Sequence, residues 1–422
     1  MRKCFFIIMI LAPVFNISCQ QRDNRQNNPK NWQWRGENRD GVYTETGLLK
    51  EWPEEGPELL WTFEDLGEGH TSVAIANGKI YASGMHDDRL NLYVFDMKGQ
   101  LLTEKEIGME WNKNWNGTRS SVCINEGKLY VFNALGTLFC LDEASLDVVW
   151  KKDVLSDFDG RNLTFGMTEN PLIVGDKLFL TPGGVTDGMV ALNKNTGALI
   201  WSSPGTGMLS SYCSPLYIGD QSVPIVVTWF EGEKQEGKIH DNKIVAFNAD
   251  TGEKLWEYIQ TSENSINPNT PLYSDGMLLS VTGYWGGACM YRLKDGGKAV
   301  ELVWHNKEMD NQMGGAVKVG DYVYATGHQN KYWFCVDWKT GETKYKVRDI
   351  GCGTVIYADG MLYVYNELQG SMHLVKPNPN EFEMVSSFKI TLGTNQHWAH
   401  PVIHQGVLYV RHGDTLMAYK IK

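Results

Sequence analysis

One eleven-residue pattern recurs along this chain and constrains its fold more than any other feature. Residues 191–201 (ALNKNTGALIW) and 246–256 (AFNADTGEKLW) match position by position, with Asn third, Thr-Gly sixth and seventh, and Trp last. Residues 140–150 (CLDEASLDVVW) and 335–345 (CVDWKTGETKY) keep part of this frame, and a looser copy ends at Trp304. A period of about 40–50 residues with strands and turns inside it indicates a β-propeller.

Each copy is typical of a β-hairpin. Asp or Asn at the start of the turn accepts hydrogen bonds from later backbone N–H groups, and Gly adopts the left-handed conformation that closes the turn. Apolar residues alternate on both sides, which places the Trp on the last strand. The alternative is a set of unrelated Asx-Gly hairpins in an all-β protein.

A second pattern marks the start of each unit: a few apolar residues, a turn with Gly or Asp, and an alternating run. It begins at eight places, namely Ser72, Ser121, Asn170, Ser214, Thr270, Gly315, Gly353 and His400. We therefore predict an all-β, eight-bladed propeller over residues 59–422, in which this hairpin forms the inner pair of a four-stranded blade and the eleven-residue pattern forms the outer pair.

The end of the chain leaves the eighth blade one strand short. Its inner strands and a third strand, residues 416–421, are followed by no fourth strand. Residues 59–63 (LLWTF) precede the first unit and have no other partner, so we predict that they complete the eighth blade. This closure removes an exposed sheet edge.

The N-terminus has the pattern of an export signal. Arg2 and Lys3 precede a short apolar run, and Cys19 follows Ser18. Residues 1–18 are too short and too interrupted to span a bilayer. Cys19 resembles the lipidated cysteine of a bacterial lipobox, with Gln20 after it favouring the outer membrane. An ordinary secretory signal with an incidental cysteine is the alternative.

Two segments separate the signal from the propeller. Residues 19–31 are almost free of apolar residues, which predicts a disordered tether. Residues 32–58 contain three tryptophans together with several Gly and Pro residues, which exclude a long helix. We predict an extended, Trp-rich cover on the outside of the propeller.

Composition excludes some partners. The formal net charge of −11 disfavours nucleic acid and anionic lipid headgroups. Six cysteines follow Cys19, and none forms a C-x-x-C pair. They lie mostly in strand-like runs and are predicted to be free core thiols, although an even number in an exported protein also permits disulfides.

The repeat, the count of eight and the lead-in WQWRGENRDG resemble the pyrroloquinoline-quinone-like (PQQ-like) repeat propellers over essentially all of residues 32–422. The resemblance implies that the motif tryptophans dock between adjacent blades, namely Trp61, Trp150, Trp201, Trp256 and Trp304. Two branches of this superfamily differ in function. Quinoprotein alcohol dehydrogenases hold quinone and calcium in the central funnel, whereas BamB-like lipoproteins bind protein partners without a cofactor.

The channel mouth is the expected site of function, because the segments before each innermost strand converge there. Ten polar or aromatic residues of these segments are candidate ligand contacts: His70, Trp115, Arg119, Glu169, Asn170, Tyr212, Asn269, Gln312, His397 and His400. They suit a sugar-like or peptide ligand. The alternative is a solvated polar rim without a function.

Catalytic and metal signatures are weak. Glu169, Asn170 and Asp310 could supply oxygen ligands to calcium. His397, His400 and His404 have a metal-like spacing, but His400 and His404 lie at opposite ends of a strand, roughly 13 Å apart, and cannot share one ion. No Gly-x-Ser-x-Gly sequence or phosphate-binding Gly-rich loop occurs.

Two hypotheses follow. The first is a non-catalytic, exported and lipid-anchored monomer that binds a protein or glycan at the channel mouth, with no metal or cofactor. The second is a periplasmic dehydrogenase of alcohols or sugars that depends on PQQ and calcium. The resemblance favours the first, because the adjacent cysteine pair and the insertions of quinoprotein dehydrogenases are missing.

Overall fold

The structure, a computed structural model, describes residues 32–232, 238–264 and 266–422, and its strands form an eight-bladed β-propeller. The predicted signal segment, Cys19 and the tether lie outside the described residues. Helical structure in the described ranges is limited to α1 (Val154–Asp157) and one 3₁₀ turn (Asp295–Gly297). No helix there is long and apolar enough to cross a membrane.

The strands of the first half are β1 (Val42–Tyr43), β2 (Leu59–Phe63), β3 (Ala74–Ala76), β4 (Lys79–His86), β5 (Arg89–Asp96), β6 (Leu101–Met109), β7 (Cys123–Asn125), β8 (Lys128–Phe132), β9 (Thr137–Asp142), β10 (Val148–Asp153), β11 (Leu172–Val174), β12 (Lys177–Leu180), β13 (Asp187–Asn193), β14 (Leu199–Pro204), β15 (Leu209–Ser210), β16 (Leu216–Ile218) and β17 (Ile225–Glu231). The strands of the second half are β18 (His240–Asn248), β19 (Lys254–Ser262), β20 (Leu272–Ser274), β21 (Met277–Thr282), β22 (Gly287–Lys294), β23 (Ala299–Asn306), β24 (Ala316–Val319), β25 (Tyr322–Thr326), β26 (Trp333–Asp337), β27 (Thr343–Val347), β28 (Gly353–Ala358), β29 (Met361–Asn366), β30 (Ser371–Lys376), β31 (Glu383–Lys389), β32 (Val402–His404), β33 (Val407–His412) and β34 (Thr415–Lys420).

Seven blades are meanders of four consecutive strands, and the first strand of each is innermost. They are β3–β6, β7–β10, β11–β14, β16–β19, β20–β23, β24–β27 and β28–β31. The eight predicted hairpins form the inner pairs, and the eleven-residue pattern forms outer pairs. The prediction of eight four-stranded blades is confirmed.

The eighth blade is completed by the N-terminal strand, as predicted. Its order is β2-β34-β33-β32. β2 is antiparallel to β34, with Leu59 opposite Tyr419 and Phe63 opposite Leu416. Because strands from the two ends of the described chain share this sheet, the ring cannot open without breaking backbone hydrogen bonds.

Tryptophans on the outer strands of blades two to five link each of these blades to the next. The indole N–H groups donate to carbonyl oxygens in the following blade: Trp150 to Lys194 at 3.2 Å, Trp201 to Ala249 at 3.1 Å, Trp256 to Gly297 at 3.1 Å and Trp304 to Trp338 at 3.1 Å. Gly252 has a φ of 76°, and a Cβ there would lie 2.5 Å from the Trp201 ring. The Gly of the turn is therefore needed both for its backbone conformation and for the space that the indole fills.

The segment 32–58 covers the ring in two different places. Its first part, residues 32–43, lies in the central channel and not on the outside as expected; we call it the channel segment. Trp32 forms an antiparallel bridge to Ile124 on β7, and β1 adds to β28 in parallel. The channel segment thus extends the inner edges of blades two and seven.

Two buried arginines fix the channel segment. Arg39 donates to the carbonyl oxygens of Asn170 at 3.0 Å, Pro215 at 3.4 Å and Pro171. Because these carbonyls precede the innermost strands of blades three and four, one guanidinium joins two blades. Burial lowers the pKa of Arg39 to about 10, so the side chain remains charged at neutral pH.

Arg35 makes the equivalent contacts on the other side of the channel. It donates to the carbonyl oxygens of Gly314 at 3.2 Å, Ala316 at 2.8 Å and Val355 at 3.3 Å, and contacts His400 Nδ1 at 3.1 Å. These acceptors belong to blades six, seven and eight. Together the two arginines connect five of the eight blades through the channel.

The second part of the lead-in does cover the outer surface. Trp52 is buried against blade seven, with ring centroids 5.7 Å from Tyr363 and 5.1 Å from Phe388. The Leu48 N–H donates to the carboxylate of Asp359 at 2.9 Å. This part leads the chain from the channel to β2.

We expect Trp201→Ala to lower the free energy of unfolding by about 3–5 kcal/mol, because a buried indole is lost from a blade interface. Urea denaturation followed by far-UV circular dichroism measures the change. Ile200→Ala is the matched control, since Ile200 is the neighbouring residue on β14 and is exposed. Equal effects of the two substitutions would show that docking of the indole does not stabilise the ring.

We expect Arg39→Lys to lower the free energy of unfolding by about 2–4 kcal/mol. An ammonium group lacks the fork of donors that reaches carbonyls in two blades, and buried acceptors without donors are costly. The control is Arg89→Lys on an exposed ion pair with Glu106, where a change below about 1 kcal/mol is expected. If both variants unfold at the same urea concentration, the channel segment contributes no stability through Arg39.

Candidate functional site

The predicted contact residues lie on one face of the ring. Antiparallel strands reverse direction at every turn, so the linkers between blades and the turns between second and third strands share a face, which we call the linker face. The other two turns of each blade lie on the opposite face. All ten candidate residues belong to linkers.

Three rings from different linkers meet on the linker face. The Trp398 ring centroid is 5.0 Å from that of His70 and 5.3 Å from that of Trp115. Trp398, His70 and Trp115 lie in the linkers before blades eight, one and two, respectively. Trp115 is 49% exposed, whereas Trp398 is partly buried. We call this group the aromatic cluster; Trp398 was missed by the sequence analysis.

The linker of Trp115 is held in an unusual conformation. Trp115 has a φ of 48°, in the left-handed region that bulky residues rarely adopt. Arg119 stabilises this conformation, because its guanidinium donates to the carbonyl oxygens of Asn114 at 2.8 Å, Trp115 at 2.7 Å and Phe165 at 2.5 Å. Arg119 is therefore a positioning residue for the indole.

His70 lies beneath the two tryptophans and is neutral at physiological pH. Burial and the positive charges of Arg119 and Arg411 lower its pKa to about 3. Both ring nitrogens are buried, and within the described residues neither makes a hydrogen bond of normal geometry. A neutral imidazole can donate one hydrogen bond and accept one, so both hydrogen-bonding functions of His70 are unused within the described residues.

A buried carboxyl supports the same linker. Glu110 Oε1 accepts hydrogen bonds from the N–H groups of Trp111 and Ala134, each at 2.9 Å. Burial raises its pKa to about 7. Glu110 escaped the sequence analysis because it is separated from the candidate residues and has no motif around it.

Several candidate residues instead join neighbouring blades around the channel. Asn170 Oδ1 accepts from the Ser121 N–H at 2.7 Å, and the Asn170 N–H donates to Ser214 Oγ at 2.9 Å. Asn269 Oδ1 accepts from the Gly315 N–H at 3.1 Å. These residues are buried, so their amides serve the ring and do not face a ligand.

The candidate histidines have separate surroundings. His400 contacts Arg35 through Nδ1 and the Met313 carbonyl through Nε2 at 3.2 Å, and burial next to Arg35 lowers its pKa well below the usual value. His397 Nδ1 lies 2.5 Å from the Tyr365 hydroxyl, and its ring stacks on His412 at 3.6 Å. Burial and His412 lower the pKa of His397 to about 4.

Tyr212 and Gln312 complete the predicted set. Tyr212 is buried between blades two and three and accepts a hydrogen bond from the Phe165 N–H at 3.4 Å. Burial raises its pKa well above the usual range. Gln312 Nε2 donates to the Tyr284 hydroxyl at 3.4 Å and so belongs to the hairpin tips of blades five and six.

The candidate oxygen ligands Glu169, Asn170 and Asp310 do not fit a site for calcium and quinone. Both carboxylate oxygens of Glu169 accept from Thr181, and burial raises the pKa of Glu169 to about 8. Asp310 accepts backbone N–H groups from two hairpin turns. No group of three His, Cys, Asp or Glu in the described ranges could hold a metal ion, and the six cysteines there are free and buried.

A cavity of about 230 Å³ lies inside the channel, between the channel segment and the innermost strands of blades one and eight. Trp32, Asn38, Tyr43, Ile75 and His404 are among its lining residues. Ligand pockets usually measure about 300–1,000 Å³. This cavity is smaller and is partly closed by the chain itself, which makes the linker face the better candidate site.

Sequence comparison places the fold among known proteins. The family model described as "Outer membrane protein assembly factor BamB" matches residues 91–208 and 166–379. The outer membrane protein assembly factor BamB of Shewanella oneidensis is 30% identical over 149 residues, which are 33% of this chain and 32% of that protein. A quinoprotein ethanol dehydrogenase of Pseudomonas aeruginosa is 27% identical over 143 residues, which are 33% of this chain and 22% of that protein.

Structural comparison also finds that the fold is similar to that of a BamB protein. The crystal structure of BamB from Moraxella catarrhalis has a TM-score of 0.63 at 14% identity, covering 86% of this chain and 100% of that chain. The propeller is therefore of the PQQ-like repeat class. Because the family model matches more than half of the chain, the protein belongs to the family described as outer membrane protein assembly factor BamB.

Proposed function

We propose that this protein is a non-catalytic binding or scaffold module of the cell envelope that takes a protein or glycan ligand on its linker face. The observation that carries the proposal is the aromatic cluster: an exposed indole of Trp115 beside Trp398, with the buried, neutral His70 below. Exposed aromatic surface next to a few fixed polar groups is typical of ligand sites.

The charged groups near the cluster support binding over catalysis. Arg119 is engaged by three backbone carbonyls, and Glu110 is engaged by two backbone N–H groups. General acid–base chemistry needs groups that can reach a substrate and exchange protons near the working pH. His70 reaches the cluster, but with its pKa lowered to about 3 the imidazole is a weak base at neutral pH.

The envelope location rests on the N-terminus and on the relatives. Residues 1–18 have the pattern of an export signal, and Cys19 fits a lipid attachment site. The matched family is described as an outer membrane protein assembly factor. We infer an exported monomer attached to the outer membrane through Cys19, with residues 19–31 as its tether.

We expect Trp115→Ala to weaken ligand binding by at least about tenfold, because a central exposed indole commonly contributes 2 kcal/mol or more to an interface. Capture from detergent-solubilised envelope extract identifies protein ligands, an array of purified glycans identifies sugar ligands, and titration calorimetry gives the affinities. Leu368→Ala is the matched control, because Leu368 is exposed and lies in a turn on the same face.

Unaltered affinity in Trp115→Ala would move the site away from the aromatic cluster. Trp115 is a better test than Tyr212 because of burial: replacing the buried Tyr212 would disturb the interface between blades two and three, so a loss of binding there would not report on contact.

The alternative, a PQQ- and calcium-dependent dehydrogenase, is supported by the matches to quinoprotein ethanol dehydrogenases. We expect that purified protein incubated with PQQ and calcium retains no stoichiometric chromophore after gel filtration, because the oxygen ligands of Glu169 and Asp310 are already engaged. Dye-linked oxidation of alcohols and sugars is the second measurement. Retention of one quinone per chain with dye reduction would reverse the proposal.

A further inference from the structure

A second aromatic site on the linker face lies far along the chain from Trp115, in the turn between β21 and β22. The Gly286 N–H donates to the Gly283 carbonyl at 3.1 Å, which closes a two-residue hairpin turn. The two central residues, Tyr284 and Trp285, have φ values of 52° and 62°. Both positions of such a turn favour Asn, Asp or Gly, because other side chains are strained there.

Blade one has the residues that are typical of this type of turn. Asp87 and Asp88 connect β4 to β5 with φ values of 47° and 62°. Asp tolerates this conformation better than an aromatic residue does. The fold therefore accepts a short polar pair here, and the aromatic pair in blade five opposes the local preference. Strained residues of this kind are found mostly at functional sites.

The strained turn is held by a buried carboxylate. Asp310 accepts hydrogen bonds from the N–H groups of Trp285 at 3.3 Å, His328 at 3.0 Å and Gln329 at 3.2 Å. His328 and Gln329 lie in the turn between β25 and β26, so one carboxylate fixes the tips of two neighbouring blades. The result is a rigid base for the exposed indole.

Polar groups surround this indole. The Tyr284 ring meets the His328 ring edge-on with centroids 5.0 Å apart, and Gln312 donates to the Tyr284 hydroxyl at 3.4 Å. Trp285 itself is 47% exposed. Tyr284, Trp285, Gln312 and His328 form what we call the hairpin-tip site.

The charges near the hairpin-tip site disfavour an anionic ligand. Asp310 is fully buried and accepts from three N–H donors. Lys331, in the same turn as His328, lies 3.7 Å from Glu367 and contacts Cys352. The exposed Glu263 donates its backbone N–H to the Tyr284 carbonyl at 3.0 Å, so the carboxylates near the turn outnumber the one cation and an anion would be repelled.

We propose that the hairpin-tip site binds a neutral sugar residue of a glycan. The C–H face of a sugar ring packs on the exposed indole, while the hydroxyl, amide and imidazole groups around it exchange hydrogen bonds with sugar hydroxyls. This inference rests on the proposed function in one respect: it makes the ligand of the linker face a glycan. It adds a contact region separate from the aromatic cluster.

The test uses the full chain and neutral oligosaccharides built from glucose, xylose, mannose or N-acetylglucosamine. The variant Tyr284→Asn with Trp285→Gly gives the turn its preferred residues. We expect it to bind at least tenfold more weakly than the wild type and to unfold at a higher urea concentration. An aromatic pair that served only the fold would lower the urea midpoint when removed.

Asp87→Asn with Asp88→Gly is the matched control, because it makes the same change of turn residues in blade one. It should raise the urea midpoint and leave oligosaccharide binding unchanged. Trp285→Ala alone should weaken binding without the gain in stability.

Three results would overturn the inference: no binding of any of these oligosaccharides by the wild type, equal binding by the double variant, or a lower urea midpoint of the double variant. Loss of binding in Trp115→Ala together with equal binding in the double variant would leave the proposed function standing and remove the hairpin-tip site. Loss in the double variant but not in Trp115→Ala would leave the hairpin-tip site standing and remove the aromatic cluster as the ligand contact.

Discussion

The docking of a tryptophan on the next blade, which recurs after blades two to five and after blade eight, is the interaction on which the ring depends. A single twisted four-stranded sheet cannot bury both of its faces, so each blade is stable only between two neighbours. The indole fills the space that the turn glycine leaves and donates its N–H to a carbonyl of the adjacent blade, as Trp201 does at Ala249. The same contact at successive interfaces keeps the angle between blades nearly constant, which allows eight blades to close.

Closure adds a second constraint at the centre. Where the innermost strands converge, their first carbonyl groups point into a narrow channel and need donors. Arg35 and Arg39 provide them with no carboxylate of the described residues at hydrogen-bonding distance, because the guanidinium fork can satisfy several carbonyl oxygens at once. The chain thus stabilises five of the eight blade interfaces with tryptophans and the hub of the ring with arginines.

The repeated part of this architecture could be predicted from sequence, and the unrepeated part could not. Periodicity identified the hairpins, the number of blades and the pairing of residues 59–63 with the last blade. The channel segment was placed wrongly on the outside, because the partners of Arg35 are backbone carbonyls, which carry no sequence signature. Trp398 was missed for a similar reason: its contacts with His70 and Trp115 join linkers that share no pattern.

The predicted contact residues show how the same linkers serve two purposes. Asn170 and Asn269 are polar because the ring needs hydrogen bonds between blades, and a sequence cannot distinguish this from a polar group that faces a ligand. Exposed aromatic residues with a left-handed backbone are a different case. Trp115, Tyr284 and Trp285 hold left-handed φ values at a cost of about 1–2 kcal/mol each, in places where Asp, Asn or Gly would serve the fold better. The ring is stable enough to carry that cost, and the exposed indoles that it maintains are the surface on which a ligand can be bound.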